Sequence, residues 1–314
     1  MSTTPADGPS SYPAPPEQPE RPSVGPPGST GSGGSGDSPA ARAIPNWPGW
    51  SAPAALLAGF AGALVLGLVI ALIGALFGAD LDHAPASVSI ASVVAQDVCL
   101  IGAALLFARA VTFPRPRQFG LNRPRSLPQA AALVVGGYLV FIVISYLWLT
   151  AIGQSGAKDT ITEDLGAKDS TIALVFVTFV VTVCAPLAEE FLFRGYFFGA
   201  LRSNGFWFAA FFTGLAFGTV HVFGSPIAFI VPLALLGMGL CLIREKTASL
   251  YPGIALHCLN NSLAMASSEH WSWEVPVVLL GAPALIATFI WLGLRAWPEP
   301  RARTAPVSAA APTG

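Results

Sequence analysis

Between residues 52 and 296 the chain is written as a series of long apolar runs, and that pattern leaves few folds open to it. The runs lie at roughly 52–78, 86–109, 129–151, 170–202, 205–223, 226–243, 249–268 and 274–296. About 20 apolar residues suffice for a helix to cross a bilayer. Within lipid a segment must satisfy its backbone hydrogen bonds itself, which a helix does. The expected fold is therefore all-α, a polytopic membrane bundle of about eight transmembrane helices. Composition agrees, since 53% of the 314 residues are hydrophobic and only 11% charged. A net charge of -1 gives no footing for a nucleic-acid partner. Cys99, Cys184, Cys241 and Cys258 all fall in apolar runs without metal-ligand spacing, and read as small buried hydrophobes.

The flanks differ from this body. Residues 1–47 are rich in Pro, Gly, Ser and Thr, and bury too little apolar area to offset the entropy of ordering. They are expected to form a disordered N-terminal tail, with 48–298 as the transmembrane domain and 299–314 as a second disordered tail. Residues 1–47 lack the basic start and apolar core of a secretory signal. Orientation follows from the arginines. The link after the second run holds Arg109, Arg115, Arg117, Arg123 and Arg125 and no acid. Basic loops stay in the cytoplasm, so an even number of spans places both termini there, in a cell membrane. Arg244, Lys246, Arg295, Arg301 and Arg303 fall on the same side. Asp80, Asp82, the acid-rich 159–169 segment, Glu269 and Glu274 fall on the other, with Trp271 and Trp273 as interfacial aromatics. The plain reading of the basic link is contact with anionic lipid.

The chemistry is concentrated at Ala188-Glu189-Glu190-Phe191-Leu192-Phe193-Arg194-Gly195. A charge in hydrocarbon costs roughly 2.5–3.5 kcal/mol on insertion scales, so three in one run call for partners. A straight helix over 170–202 would be about 50 Å long against a core of about 30 Å, and must protrude, tilt or bend at Pro186. Ser203-Asn204-Gly205 marks the next turn. Glu190 lies 15 residues before Gly205 and His221 lies 16 after it. In a helical hairpin the two should share a depth of about 22–24 Å from the turn and face each other. Glu190 and Arg194, four apart, can form an ion pair. Glu189 is about 100° round the helix, less well paired, and is the candidate general base. Phe217 with His221, and His257 with Asn261, repeat the i, i+4 spacing. Imidazole can bind a metal, relay a proton or donate to an oxyanion. Asn can donate to that oxyanion or fix a histidine's tautomer. Asp97 either serves this site or makes a helix-packing hydrogen bond. Gly195-x-x-x-Gly199 suggests a close helix contact, and Gly153-Gln154-Ser155-Gly156 ordinary turn chemistry.

Glu189-Glu190-x-x-x-Arg194, Phe217-x-x-x-His221 and His257-x-x-x-Asn261, in this order, resemble the motif series of the CPBP intramembrane protease family. That family includes type II CAAX prenyl endopeptidases and bacteriocin-processing or immunity (Abi) proteins. The resemblance covers about residues 119–262 and includes Phe119-Gly120-Leu121. It implies an all-helical membrane core and hydrolysis of a peptide bond near the cytoplasmic side. The substrate would be a peptide or protein, lipidated in the CAAX case, met among membrane lipids. A glutamate would activate water, and the catalytic set would be Glu189, Glu190, Arg194, His221, His257 and Asn261. The family's usual description as metalloproteases adds a divalent metal such as zinc, with His221, His257 and Glu189 as its ligands if one is used. The sequence has no H-E-x-x-H, the spacing that sets two zinc ligands on one helical turn. Two other classes stay open at this point. Buried acids and histidines also mark proton-coupled transporters, although no internal repeat of the kind many transporters show is visible. A non-catalytic immunity or scaffold protein could keep the same residues.

Overall fold

The structure, a computed structural model, describes residues 46–80, 83–157, 160–268 and 274–296. The expected tails, apart from 46–47, lie outside the described residues, as do Asp82, Glu269, Trp271, Trp273, Arg301 and Arg303. The long helices follow the apolar runs: α1 (Ser51–Leu76), α2 (Ala86–Val111), α3 (Leu127–Ala151), α4 (Thr171–Asn204), α5 (Phe206–Val220), α6 (Ile230–Thr247), α7 (Tyr251–Ser268) and α8 (Glu274–Ala296). No strand occurs among the described residues. Seven of these helices contain a stretch long and apolar enough to cross a membrane. The chain is a multi-pass membrane protein. Leu64, Leu68 and Leu72 on α1, and Val135, Leu139 and Val143 on α3, are exposed at i, i+4 spacing, as faces turned to acyl chains would be.

The eighth helix, α7, falls short because its sequence carries His257, Asn260, Asn261 and Ser262. It turns them toward protein. His257 and Ser262 are buried, and Asn260 and Asn261 half-buried. Low hydropathy here marks a helix that faces the site rather than lipid.

Small residues set how closely the helices approach. Ala52, Ala55, Gly59 and Ala63 make the buried stripe of α1. A Cβ on Gly59 would stand 3.1 Å from Leu100 Cδ2 on α2. Between α5 and α6 the approach is closer still. A Cβ on Gly218 would lie 2.6 Å from the Ile230 carbonyl oxygen, and one on Gly214 2.6 Å from that of Ala234. Gly195 serves a different neighbour from the one its spacing suggests: it abuts Phe119, in the short 3-10 turn of the α2–α3 link, rather than one of the long helices.

The long run after Ser170 forms one continuous helix of 34 residues. Ser170 caps it, accepting from Ala173 N at 3.1 Å. Two π-helical turns interrupt it, Val180–Cys184 and Phe191–Phe197. Pro186 has no N–H to give to the turn before it, and the first π turn sits where that ladder must change register. Between the two lies Ala185–Glu190, the stretch that bears both acids. The helix ends in a 3-10 turn, Arg202–Asn204, and Gly205 reverses the chain with φ 101°, a left-handed-side conformation that suits glycine. At the other edge of the body Trp47, the last residue of the expected tail, is 3% exposed and packs between Phe119 and Tyr196.

Candidate active site

The three helices that carry the motifs meet at the two acids. Glu190 is fully buried, and its Oε1 accepts from Arg194 Nη1 at 2.6 Å and from His257 Nδ1 at 3.1 Å. Arg194 is itself 1% exposed. Its guanidinium lies over the Phe217 ring, 4.2 Å from the centroid, so a cation–π contact supplements the ion pair. Phe217 also touches both imidazoles, with ring centroids 4.7 Å from His221 and 5.6 Å from His257. It is the wedge that spaces the two histidines.

Glu189 points the other way. Its Oε2 is 3.8 Å from His257 Nε2 and 3.9 Å from His221 Nε2. The oxygen is buried and has no hydrogen-bond partner among the described residues. The far side of each ring explains which nitrogen faces it. His221 Nδ1 lies 2.7 Å from the Phe217 carbonyl oxygen, which can only accept, so Nδ1 carries the proton. His257 Nδ1 likewise faces a carboxylate. In their neutral forms both rings therefore turn a bare Nε2 toward Glu189. Three acceptors facing one another need donors between them, which a water, or a proton on one ring, supplies.

A divalent metal would be another solution, and second-side hydrogen bonds of this type are usual for metal-bound histidines. The spacing does not fit one as it stands. Tetrahedral bonds of about 2.0–2.1 Å put neighbouring donors about 3.4 Å apart. The observed pairs are wider, and no group of three or more His, Cys, Asp and Glu among the described residues is arranged to hold a metal ion.

Five of the six residues singled out from sequence are thus brought together: Glu189, Glu190, Arg194, His221 and His257. Asn261 sits apart from that contact set. Its Nδ2 donates to the Val181 carbonyl at 2.9 Å, and its Oδ1 accepts from Asn260. It ties α7 to the first π turn of α4. The pairing across the hairpin also differs by one residue from the depth argument, because His221 faces Glu189 rather than Glu190. The second π turn lies between the acids and Gly205, and its i→i+5 bonding changes both rise and rotation relative to an α-helix.

Two features lay beyond the sequence reading. Gly253 lets α7 press against the buried acid, since a Cβ there would come 3.0 Å from Glu190 Oε2. Gly214-x-x-x-Gly218 closes α5 onto α6, and its small-residue spacing was a signal open to be read. Asp97 is 5% exposed, and neither of its carboxylate oxygens has a partner among the described residues, so the packing hydrogen bond suggested for it is not there. It lies within electrostatic reach of Glu189 and Cys184.

Comparisons with curated proteins and with solved structures found no match. Residues 171–263 match the family model described as type II CAAX prenyl endopeptidase Rce1-like, a segment that contains Glu189, Glu190, Arg194, Phe217, His221, His257 and Asn261 but not Phe119-Gly120-Leu121. Over that segment, just under a third of the chain, the protein is similar to the Rce1-like type II CAAX prenyl endopeptidases, in keeping with the resemblance of its motif series to the CPBP family.

Proposed function

We propose that the chain is an intramembrane endopeptidase that hydrolyses a peptide bond with water activated by Glu189. One observation carries the reading. Glu189 Oε2 is buried, has no hydrogen-bond partner among the described residues, and stands 3.8–3.9 Å from two imidazole nitrogens. A water at about 2.8 Å from the carboxylate also lies within reach of an imidazole Nε2.

The steps follow from the donors and acceptors. Glu189 takes a proton from the water as its oxygen bonds to the scissile carbonyl carbon. The carbonyl oxygen becomes an oxyanion, and an imidazole carrying a proton on Nε2 donates to it. The carbon–nitrogen bond then breaks, and Glu189 returns its proton to the leaving nitrogen. The products are a new carboxyl end and a free amine. Glu190 does not exchange protons in this scheme. Held by Arg194, it fixes the His257 ring through Nδ1. The low-dielectric surroundings strengthen each of these contacts. The family description supplies the substrate class, the C-terminal peptide of a prenylated protein, presented on the cytoplasmic side.

The test is cleavage of a prenylated CAAX peptide by purified protein in detergent or liposomes. Glu189→Gln should abolish it, by at least about 100-fold, without altering helicity or thermal stability. Full activity in Glu189→Gln removes the proposed base. Ion flux in liposomes without any cleavage would favour a transporter instead.

A further inference from the structure

The basic link between α2 and α3 is not a loose loop. It makes one 3-10 turn, Pro116–Phe119, and is then stitched to the short connection between α6 and α7. Leu250 N donates to the Gly120 carbonyl at 2.8 Å, and Ser249 Oγ to that of Asn122 at 2.6 Å. Asn122 Nδ2 donates to the Ala248 carbonyl at 2.8 Å, and Arg125 N to that of Thr247 at 3.3 Å. Phe119 stacks on Phe191 of α4 with centroids 4.5 Å apart. The arginines of the link are therefore held as a fixed array beside the last turn of α6.

That array is strongly positive. Arg115, Arg117, Arg123, Arg125 and Lys246 are exposed. Arg244 lays its guanidinium against Gly120, whose φ of 84° and missing Cβ permit the contact. Its Nε is buried and finds no acceptor among the described residues. The link contains no acid, and Glu245, the acid of the neighbouring turn, is gripped by Arg202 through two bonds of 2.8 and 3.1 Å. The protein thus gathers cations, one with a buried unsatisfied donor, where its own acid is already engaged.

Position identifies the counter-charge. The array sits where α2 and α6 end and α3 and α7 begin, which is where spanning helices leave the bilayer. Exposed Phe113 and Leu127 flank it, apolar groups suited to the acyl boundary beneath a headgroup. We propose that residues 115–125, together with Arg244 and Lys246, form a binding site for anionic lipid headgroups. A peptide's C-terminal carboxylate carries the same charge, but the place of the array at the ends of four helices, beside exposed Phe113 and Leu127, favours the headgroup layer. This inference stands independently of the peptidase reading.

The experiment uses the full chain in phosphatidylcholine bilayers doped with spin-labelled phosphatidylglycerol or spin-labelled phosphatidylcholine. The motionally restricted fraction of each label gives the relative association constant. The anionic label should be preferred severalfold, and less so in about 0.5 M salt. Arg117→Gln/Arg123→Gln/Arg125→Gln should cut the preference at least about twofold, while the triple Lys variant keeps it. Should the triple Gln variant not fold, the single Gln variants give the same comparison. Equal association of the two labels with the native chain overturns the proposal. So does an unchanged preference in a folded Gln variant. So, too, does a Gln variant that keeps its lipid preference yet loses affinity for a peptide bearing a free C-terminal carboxylate, since the array would then read peptide.

Discussion

Arg194 Nη1 donates to Glu190 Oε1 across 2.6 Å, with both side chains at 0% exposure. An ion pair so placed owes its existence to mutual need, because either charge alone would be stranded. Removing one partner of a buried pair typically costs about 3–5 kcal/mol, whereas removing both often costs little. Arg194→Met should therefore destabilise the protein by about that amount, and Glu190→Gln/Arg194→Met should recover part of it. Thermal unfolding can be followed by a thiol-reactive dye, since Cys241 and Cys258 are buried. A single variant within about 1 kcal/mol of the native protein would contradict the pair's role.

The two histidines should separate stability from chemistry. His257 bridges both acids, at 3.1 Å to Glu190 and 3.8 Å to Glu189, and is 3% exposed. His221 is more open, and its side-chain hydrogen bond is to the Phe217 carbonyl of its own helical turn. His221→Ala should keep stability within about 1 kcal/mol and lose about 100-fold or more in cleavage rate. His257→Ala should lose both, because it also strips a donor from a buried carboxylate. Parallel melting curves and single-turnover rates with one peptide decide this. Equal stability losses in the two variants would mean that the rings play equivalent structural parts.

Much of this site was legible because membrane interiors make polar residues conspicuous. Glu189, Glu190, Arg194, His221 and His257 stood out against apolar runs, and the structure gathers them. The i, i+4 rule gave the Glu190–Arg194 pair correctly even though Arg194 lies within the π turn Phe191–Phe197, because its long side chain reaches back to the carboxylate. The rule could not give the partner of His221, which depends on helical register over the whole π turn, and nothing in Phe191–Phe197 announces a change of register. Asn261 illustrates a different limit. Its spacing from His257 suggests a shared task, but the carbonyl it meets belongs to Val181 on another helix. Each of the eight apolar runs read from the sequence has its helix, but the run at 249–268 does not qualify as a candidate span, because the residues that build the site dilute its hydropathy.

Helix approach at Gly218 is the tightest constraint on where His221 stands. A Cβ there would sit 2.6 Å from the Ile230 carbonyl oxygen and 2.8 Å from Ala234 Cβ, and a backbone carbonyl cannot swing aside as a side chain can. Gly218→Ala should cost about 1–3 kcal/mol and push α5 away from α6. Gly102→Ala, where a Cβ meets nothing within 4 Å, is the matched control and should leave the melting temperature near native. If both variants melt alike, the close approach of α5 and α6 does not limit stability.

The donor spacing bears on metal dependence. With Glu189 Oε2 at 3.8 and 3.9 Å from the two Nε2 atoms, the site is open enough for water and wider than a shared tetrahedral ion would hold it. Cleavage should therefore persist after extended dialysis against a chelator. Metal content measured on the same sample closes the test. Loss of activity that zinc restores in proportion to bound metal would instead make His221, His257 and Glu189 ligands, drawn inward by roughly half an ångström.

Asp97 offers a test of how far the site extends into α2. Its two oxygens are buried and make no hydrogen bond among the described residues, so little protein contact is lost when they are changed. On that ground Asp97→Asn should leave stability within about 1 kcal/mol of native. Glu189, however, lies within electrostatic reach of Asp97. Replacing Asp97 changes the electrostatic field in which the proposed base acts. The expected result is a near-native melting curve with kcat lowered roughly tenfold and KM little changed, the pattern of an interaction made in the transition state rather than in substrate binding. A variant that melts early but turns over normally would make Asp97 a packing residue. One with raised KM and native kcat would move it to substrate binding, away from the water.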